Sequence, residues 1–278
     1  MKKVDLPADL TELILPRYDR VVNSASRIER HTDTMIPMGK SVKRLFEQFK
    51  PKHYLLDLEV QPASNTFGGT VIVSGQKTGR PSQRLTLHQN GLKVKAAHIT
   101  KHDKKGDTTF VVDRINAHNA FDEVRLHSKD MLYPGQYTVR LEYEGKISRQ
   151  MNGLYPCFFK QDGVEKQLYA TQFESHHARE VFPCIDEPEA KATFQLTLTS
   201  PKDETVLSNT PIAKQEEVQS TKYKVPKGKK LGTTYSVLRT TFEQTPHLST
   251  YLLAFVFAEF ESKASKPAPG NVIQPYST

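Results

Sequence analysis

Residues 136–145, QYTVRLEYEG, alternate without a fault: Tyr137, Val139, Leu141 and Tyr143 against Gln136, Thr138, Arg140 and Glu142. A period of two with one dry and one wet face is the pattern of a strand in an antiparallel sheet. Pro134-Gly135 in front of it predicts a turn. The same period runs through 53–60, HYLLDLEV, where Tyr54, Leu56, Leu58 and Val60 share a face. Gly68-Gly69 then marks a turn or bulge before TVIVSG. RLTLHQ and LKVKAAHIT are separated by Asn90-Gly91, which predicts a hairpin between them. Further strands are expected in TFQLTLTSP, ETVLSNT, TYSVLRTTFEQ and STYLLAFVFAEFE; the last is apolar on both faces from Tyr251 to Ala258, as in a central strand. With helical patterns short and turn signals frequent, the expectation is an all-β fold of large twisted antiparallel sheets in one domain, residues 51–262.

The flanks read differently. Residues 1–50 are polar with one amphipathic segment, SVKRLFEQF, in which Val42, Leu45, Phe46 and Phe49 fall on one helix face. They predict a helical or irregular arm ended by Pro51. Residues 263–278, with Pro267, Pro269, Gly270 and Pro275, read as a linker leading toward a further domain. The net charge of +8 comes from 39 Lys and Arg against 31 Asp and Glu. The basic residues are scattered, and the run at 221–230, TKYKVPKGKK, reads as a hairpin tip. No nucleic-acid partner is therefore expected. Cys157 and Cys184 are too few for a disulfide framework and predict free thiols packed as small hydrophobes. The N-terminus lacks an apolar signal core, and no run approaches the roughly 18 apolar residues of a membrane span. These features predict a soluble, cytoplasmic protein with no membrane partner.

The chemistry-bearing stretch is 169–194, YATQFESHHAREVFPCIDEPEAKATF. His177 and Glu180, three apart on one helical turn, could both face a zinc ion, with His247 as a distant third ligand. The tetrapeptide also resembles a motif of zinc carboxypeptidases, whose fold needs strands alternating with helices, and that alternation is missing here. The plainer expectation is a short helical turn ended by Pro183. Val181 and Phe182 would pack inward, Arg179 would partner Asp186 or Glu187, and one of those acids would cap a turn begun by Pro188.

Taken whole, TQFESHHAREVFPCIDEPEAKATFQLTL resembles the signature of the N-terminal domain of the zinc aminopeptidases, the family of aminopeptidase N and puromycin-sensitive aminopeptidase. The likeness runs backward through HYLLDLEV, TFGGTVIV, LTLHQNGLKV, GQYTVRLEYEGKI and GLYPCFF, and forward through VLSNTPI and TTFEQTPHLSTYLLAFVFAEFE. It covers residues 51–262. It implies a saddle-like β-sandwich and a zinc-dependent removal of N-terminal residues from peptides. It also implies that the zinc, with its HExxH helix, belongs to a catalytic domain of the same protein. No HExxH occurs between Met1 and Thr278, so no catalytic or metal-binding residue is expected in this chain. By position, Glu174 matches the glutamate that receives the substrate's free α-ammonium, and Gln172 the glutamine lining the pocket for the first residue. In a strand these two side chains share a face, with Phe173 on the other. His176, His177 and Glu180 depart from the residues common in the family. Two other readings stand beside this one: a complete zinc carboxypeptidase-like hydrolase using His177 and Glu180, and a non-catalytic β-sandwich module that binds a partner.

Overall fold

The computed structural model describes residues 44–220, 235–262 and 276–277. They form an all-β fold. One eight-stranded sheet dominates, in the order β13-β14-β11-β1-β2-β8-β4-β5. Its strands are β1 (Phe49–Gln61), β2 (Thr66–Lys77), β4 (Lys93–Asp103), β5 (Gly106–Phe110), β8 (Gly135–Lys146), β11 (Thr193–Pro201), β13 (Ile212–Ser220) and β14 (Tyr235–Phe242). A four-stranded sheet, β12-β15-β10-β9, is made by β9 (Gly153–Gln161), β10 (Val164–Gln172), β12 (Thr205–Ser208) and β15 (Phe255–Ala258). A three-stranded sheet, β3-β7-β6, is made by β3 (Ser82–His88), β6 (Val112–His118) and β7 (Glu123–Leu132). Finally β16 (Glu261–Ser262) pairs with β17 (Tyr276–Ser277).

The period-two readings hold. Tyr54, Leu56, Leu58 and Val60 of β1 and Tyr137, Val139, Leu141 and Tyr143 of β8 are all buried. They form one continuous core with Val71, Val73, Phe194, Leu196 and Leu198. Tyr54 stacks on Phe194 with ring centroids 4.8 Å apart, and Phe182 meets both rings edge-on. Val181 and Phe182 pack inward as expected, after a short 3-10 turn over Ala178–Glu180.

Several local expectations are corrected. The large sheet is not wholly antiparallel, because β1 and β11 pair in parallel from His53↔Thr193 to Glu59↔Thr199. A parallel pair needs a long crossover, and here it holds the whole three-stranded sheet and the β9–β10 hairpin. Asn90-Gly91 does not close a hairpin. Gly91 has the left-handed φ of +71° that such a turn needs, yet β3 pairs with β7 while β4 pairs with β8 and β5. The turn hands the chain from one sheet to another, held by Gln89 N–H to Asp122 O and Asn90 N–H to Arg179 O. Gly68-Gly69 is neither turn nor bulge but the interior of β2. A Cβ on Gly69 would lie 2.3 Å from the Asp57 carbonyl oxygen of β1, so the glycine permits close strand approach. The expected central strand over 251–258 is shorter: Thr250–Leu252 forms a 3-10 turn, and β15 alone runs between β12 and β10.

The expected arm over 1–50 lies largely outside the described residues. Where it is described, Leu45–Gln48 is a turn and the strand already begins at Phe49. Leu45 and Phe49 are buried all the same, so their apolar spacing serves a turn-to-strand entry rather than a helix. The run at 221–230 is outside the described residues too; β13 and β14 on either side of it pair, Ser220 opposite Tyr235. So is most of the expected linker at 263–278.

The segment 178–190 ties these layers together. Asp186, whose side chain has no solvent exposure, receives Arg179 Nε at 3.0 Å on one oxygen and the Thr250 hydroxyl at 2.5 Å on the other. Arg179 also donates to the Asp186 carbonyl at 3.0 Å. The Asp186 N–H donates to His88 Nδ1 at 3.0 Å, and the Ile185 N–H to the Tyr54 hydroxyl at 3.1 Å. The acid expected to cap a local turn serves a distant one: Glu187 accepts from the Leu45 N–H at 2.8 Å and the Phe46 N–H at 3.3 Å. Both of its oxygens are thereby committed to a turn that opens the domain.

Asp186→Ala leaves Arg179 buried without its carboxylate and is expected to cost about 3–5 kcal/mol in urea denaturation. Glu187→Ala, which removes a cap at a 12% exposed site, is expected to cost about 0.5–2 kcal/mol. His88 is neutral in the fold. Burial, with help from the Arg179 charge, lowers its pKa from 6.5 to about 3. The unfolded chain therefore binds a proton that the folded chain refuses, and stability is lost as pH falls from 6.5 toward 3. His88→Asn keeps an acceptor for the Asp186 N–H, and chemical denaturation across that window is expected to show a shallower loss. Glu204 carries the opposite slope. Burial, then Glu259 and Asp203, push its carboxyl up to about 7, so stability falls as pH rises from 4.5 through 7. Glu204→Gln is expected to be more stable than the parent at pH 8 and no better at pH 4.

Candidate functional site

β9 and β10 form a hairpin closed by Asp162-Gly163, both at positive φ, with Gln161 opposite Val164. Two central residues at positive φ match the right-handed strand twist, which is why Asp-Gly closes it tightly. β10 then carries the segment Tyr169–Gln172 into the four-stranded sheet, where β15 pairs with Tyr169 and Ala170. Tyr169 stacks on Phe257 at 4.9 Å.

The strand ends at Gln172, opposite Gly153. Phe173 follows, 1% exposed, and meets Phe182 edge-on at 6.1 Å. Glu174 lies one residue further on, in a turn closed by the His177 N–H to Phe173 O bond at 2.9 Å. Gln172 and Glu174 are both exposed and Phe173 is buried between them. The alternation read from the sequence is present, although only Gln172 belongs to the strand. The peptide bond Glu174–Ser175 is cis. Among the described residues the Glu174 carboxylate has no hydrogen-bond or ion-pair partner.

The neighbouring polar groups are all engaged. His176 stacks on His177 at 4.8 Å and meets the Ser175 hydroxyl at 2.8 Å. His177 Nδ1 lies 2.8 Å from Glu180 Oε1. Glu180 leans over Gly153, where an added Cβ would come within 2.9 Å of its carboxylate. His177 and Glu180 are thus turned on each other rather than toward a shared open position. Among the described residues no group of three or more His, Cys, Asp and Glu is arranged to hold a metal ion. His247 is exposed in the segment after β14.

Arg179 holds this turn from behind through Asp186, as described above, and its Nη1 lies 3.8 Å from the Asp122 carboxylate. His88 and Thr250, which complete the buried set around 184–186 with Tyr54, carry no sequence signal beyond being polar at strand or turn ends, and the alternation that marked Tyr54 as a core residue gave no sign that its hydroxyl meets the Ile185 N–H. Cys184 is buried and free, its thiol pushed up by burial and by Asp186; Cys157 is half-buried and free. A hollow of about 780 Å³ lies elsewhere. It sits on the outer face of the large sheet, beside the ion pairs Asp57–Arg239 and Lys95–Glu144. Gln172 and Glu174 do not line it. Its charges largely satisfy one another, which argues for a solvated sheet face. Among the described residues no helix is long and apolar enough to cross a membrane.

Comparison with known proteins fits this geometry. The family model for the peptidase M1 N-terminal domain matches residues 50–252. Aminopeptidase N of Lactococcus lactis subsp. lactis is 34% identical over 244 residues, which is 87% of this chain and 25% of the relative. Aminopeptidase N of Lactobacillus delbrueckii subsp. lactis is 33% identical over 240 residues, 86% of this chain and 24% of the relative. Human glutamyl aminopeptidase is 32% identical over 225 residues, 79% of this chain and 21% of the relative. The chain spans about a quarter of the length of these relatives. With β10 ending at an exposed Gln172, Glu174 exposed just beyond the buried Phe173, and one family model matched over residues 50–252, a single assignment follows: the chain belongs to the peptidase M1 family as its N-terminal domain.

Proposed function

We propose that this domain holds the amino end of a peptide substrate for an aminopeptidase, with Glu174 and Gln172 as the contacts. The observation that carries the reading is the unpartnered, exposed Glu174 carboxylate set one residue beyond a buried aromatic anchor. An exopeptidase must recognise a free α-ammonium, which has a pKa of roughly 7.7–8.0. A carboxylate facing that cation makes charge-assisted hydrogen bonds, roughly twice as strong as neutral ones. Gln172, with both a donor and an acceptor on its amide, suits the backbone of the first residue. Phe173 between them fixes the spacing of the two contacts, and the spacing limits removal to one residue at a time. Ser175, His176 and His177 form the adjacent rim.

The peptidase chemistry belongs, in this reading, to a further domain that supplies the zinc. The donors here do not fit the ion, since His177 and Glu180 hydrogen-bond each other. The 278-residue chain by itself is therefore expected not to hydrolyse aminoacyl-anilides and to bind no stoichiometric zinc. The two free thiols support a reducing compartment, the cytoplasm.

The test is an exchange. This domain replaces the corresponding first quarter of Lactococcus lactis aminopeptidase N, and aminoacyl-anilide hydrolysis is followed in the chimera. Glu174→Gln keeps size and removes charge; it is expected to lower kcat/KM by about 10²-fold or more, as loss of one charge-assisted contact of ~3 kcal/mol would. Gln172→Ala is expected to act more weakly, mainly on KM. Unchanged kcat/KM in a folded Glu174→Gln chimera would reject the assignment.

A further inference from the structure

The three-stranded sheet β3-β7-β6 buries one face, with Leu85, Leu87, Val124 and Leu126 all 0–3% exposed. Along its outer face the register sets Arg84 of β3 opposite His127 of β7, and His127 opposite Arg114 of β6. Three basic side chains thus cross the sheet in one row, at the strand spacing of about 4.8 Å per step. Arg84 and Arg114 stand as like charges on either side of His127, each directly opposite it. Arg125, two residues before His127 on the same face, is neutralised by Glu123 at 2.7 Å. Among the described residues Arg84 and Arg114 have no carboxylate partner.

The central imidazole has adapted to its neighbours. Arg114 Nη2 lies 3.3 Å from His127 Nδ1. A guanidinium only donates, so Nδ1 accepts and the ring proton sits on Nε2. Burial, then the charges of Arg114 and Arg84, lower the His127 pKa, with Arg125 adding to them and Asp113 of the β6 bulge opposing. The row therefore offers two guanidinium forks flanking an imidazole N–H donor.

We propose that Arg84, His127 and Arg114 form a binding site for a tetrahedral oxyanion, a phosphate or sulfate group seated over His127. Two guanidiniums on either side of an imidazole N–H can offer donors to acceptor oxygens in three directions. A tetrahedral anion supplies them, whereas a carboxylate supplies two in one plane. Guanidinium forks are suited to such oxygens. An anion placed there offsets the two guanidinium charges and draws Arg114 Nη2 away from Nδ1, which leaves His127 free to take a second proton, so binding strengthens as pH falls. The site is separate from Gln172 and Glu174 in sheet and strand, and does not depend on their role.

The test is an NMR titration of the histidine ring resonances of the 278-residue chain at constant ionic strength. Inorganic sulfate is the first probe, because its charge is constant while histidine titrates, and phosphoserine is the second. His127→Gln assigns the resonance. Sulfate is expected to shift His127 saturably and to raise its pKa by about one unit, while His102, paired with Asp107 on the large sheet, stays put. Arg84→Gln and Arg114→Gln, both surface changes, are each expected to weaken binding at least fivefold, roughly the loss of one ionic contact. Tighter saturation by phosphoserine than by sulfate would assign the site to a phosphate carried on a larger molecule, and the reverse to a free ion. A shift that sodium chloride reproduces, or variants that titrate like the parent, would overturn the proposal.

Discussion

A carboxylate with no solvent exposure sits at the junction of this domain, and the rest of the fold is arranged so that it can stay charged there. Asp186 is held by the Arg179 guanidinium, the Arg179 N–H and the Thr250 hydroxyl. An isolated carboxylate in such a place would carry a desolvation penalty of several kcal/mol. It is tolerated because its partners come from three directions: the 178–180 turn, the turn before β15, and, through the neighbouring N–H, His88 at the end of β3. Each of those elements belongs to a different stretch of chain. Removing any one of them would leave a buried group without its partner, which is the costly way to break such a pair.

That linkage reaches the surface through a short path. Arg179 lies five residues after Glu174, and the intervening turn is closed on Phe173, whose ring is locked against Phe182. Phe182 in turn meets Tyr54 and Phe194 of the central strands. An exposed carboxylate on a loop would ordinarily sample many positions. Here the residue before it is buried and the turn after it is closed on Phe173, so the backbone at Glu174 is held in place.

Charge is treated differently on the two outer sheet faces. On the large sheet the acids and bases neutralise one another across strands, as in Lys93 and Lys95 about Glu144 and Arg239 on Asp57. On the three-stranded sheet the register leaves Arg84 and Arg114 on either side of His127 with no acid between them. Composition cannot separate these cases, because scattered lysines and arginines become a row only when strands distant in sequence are brought into register.

The sequence by itself determined the strictly alternating strands, their dry faces and the family, but not β5, β6, β7 or β13. Tyr54 to Val60 and Tyr137 to Tyr143 alternate strictly because each strand has one face against the core, and the block from Thr171 to Leu198 identifies its relatives. The exposure of Gln172 and Glu174 about Phe173 agrees with that alternation, although Glu174 reaches its place through the turn closed on Phe173 and not through the strand. The partners of those strands were not legible. Asn90-Gly91 supplies the same left-handed turn whether the flanking strands pair with each other or with β7 and β8, and tertiary pairing chose the latter. Glu187, one of the two acids from which a local cap was expected, serves a turn about 140 residues earlier. Likewise the burial of Asp186, the neutrality of His88 and the parallel seam between β1 and β11 arise only on folding. Hydrogen bonds and desolvation act between groups close in space, and only the tertiary structure decides which groups those are.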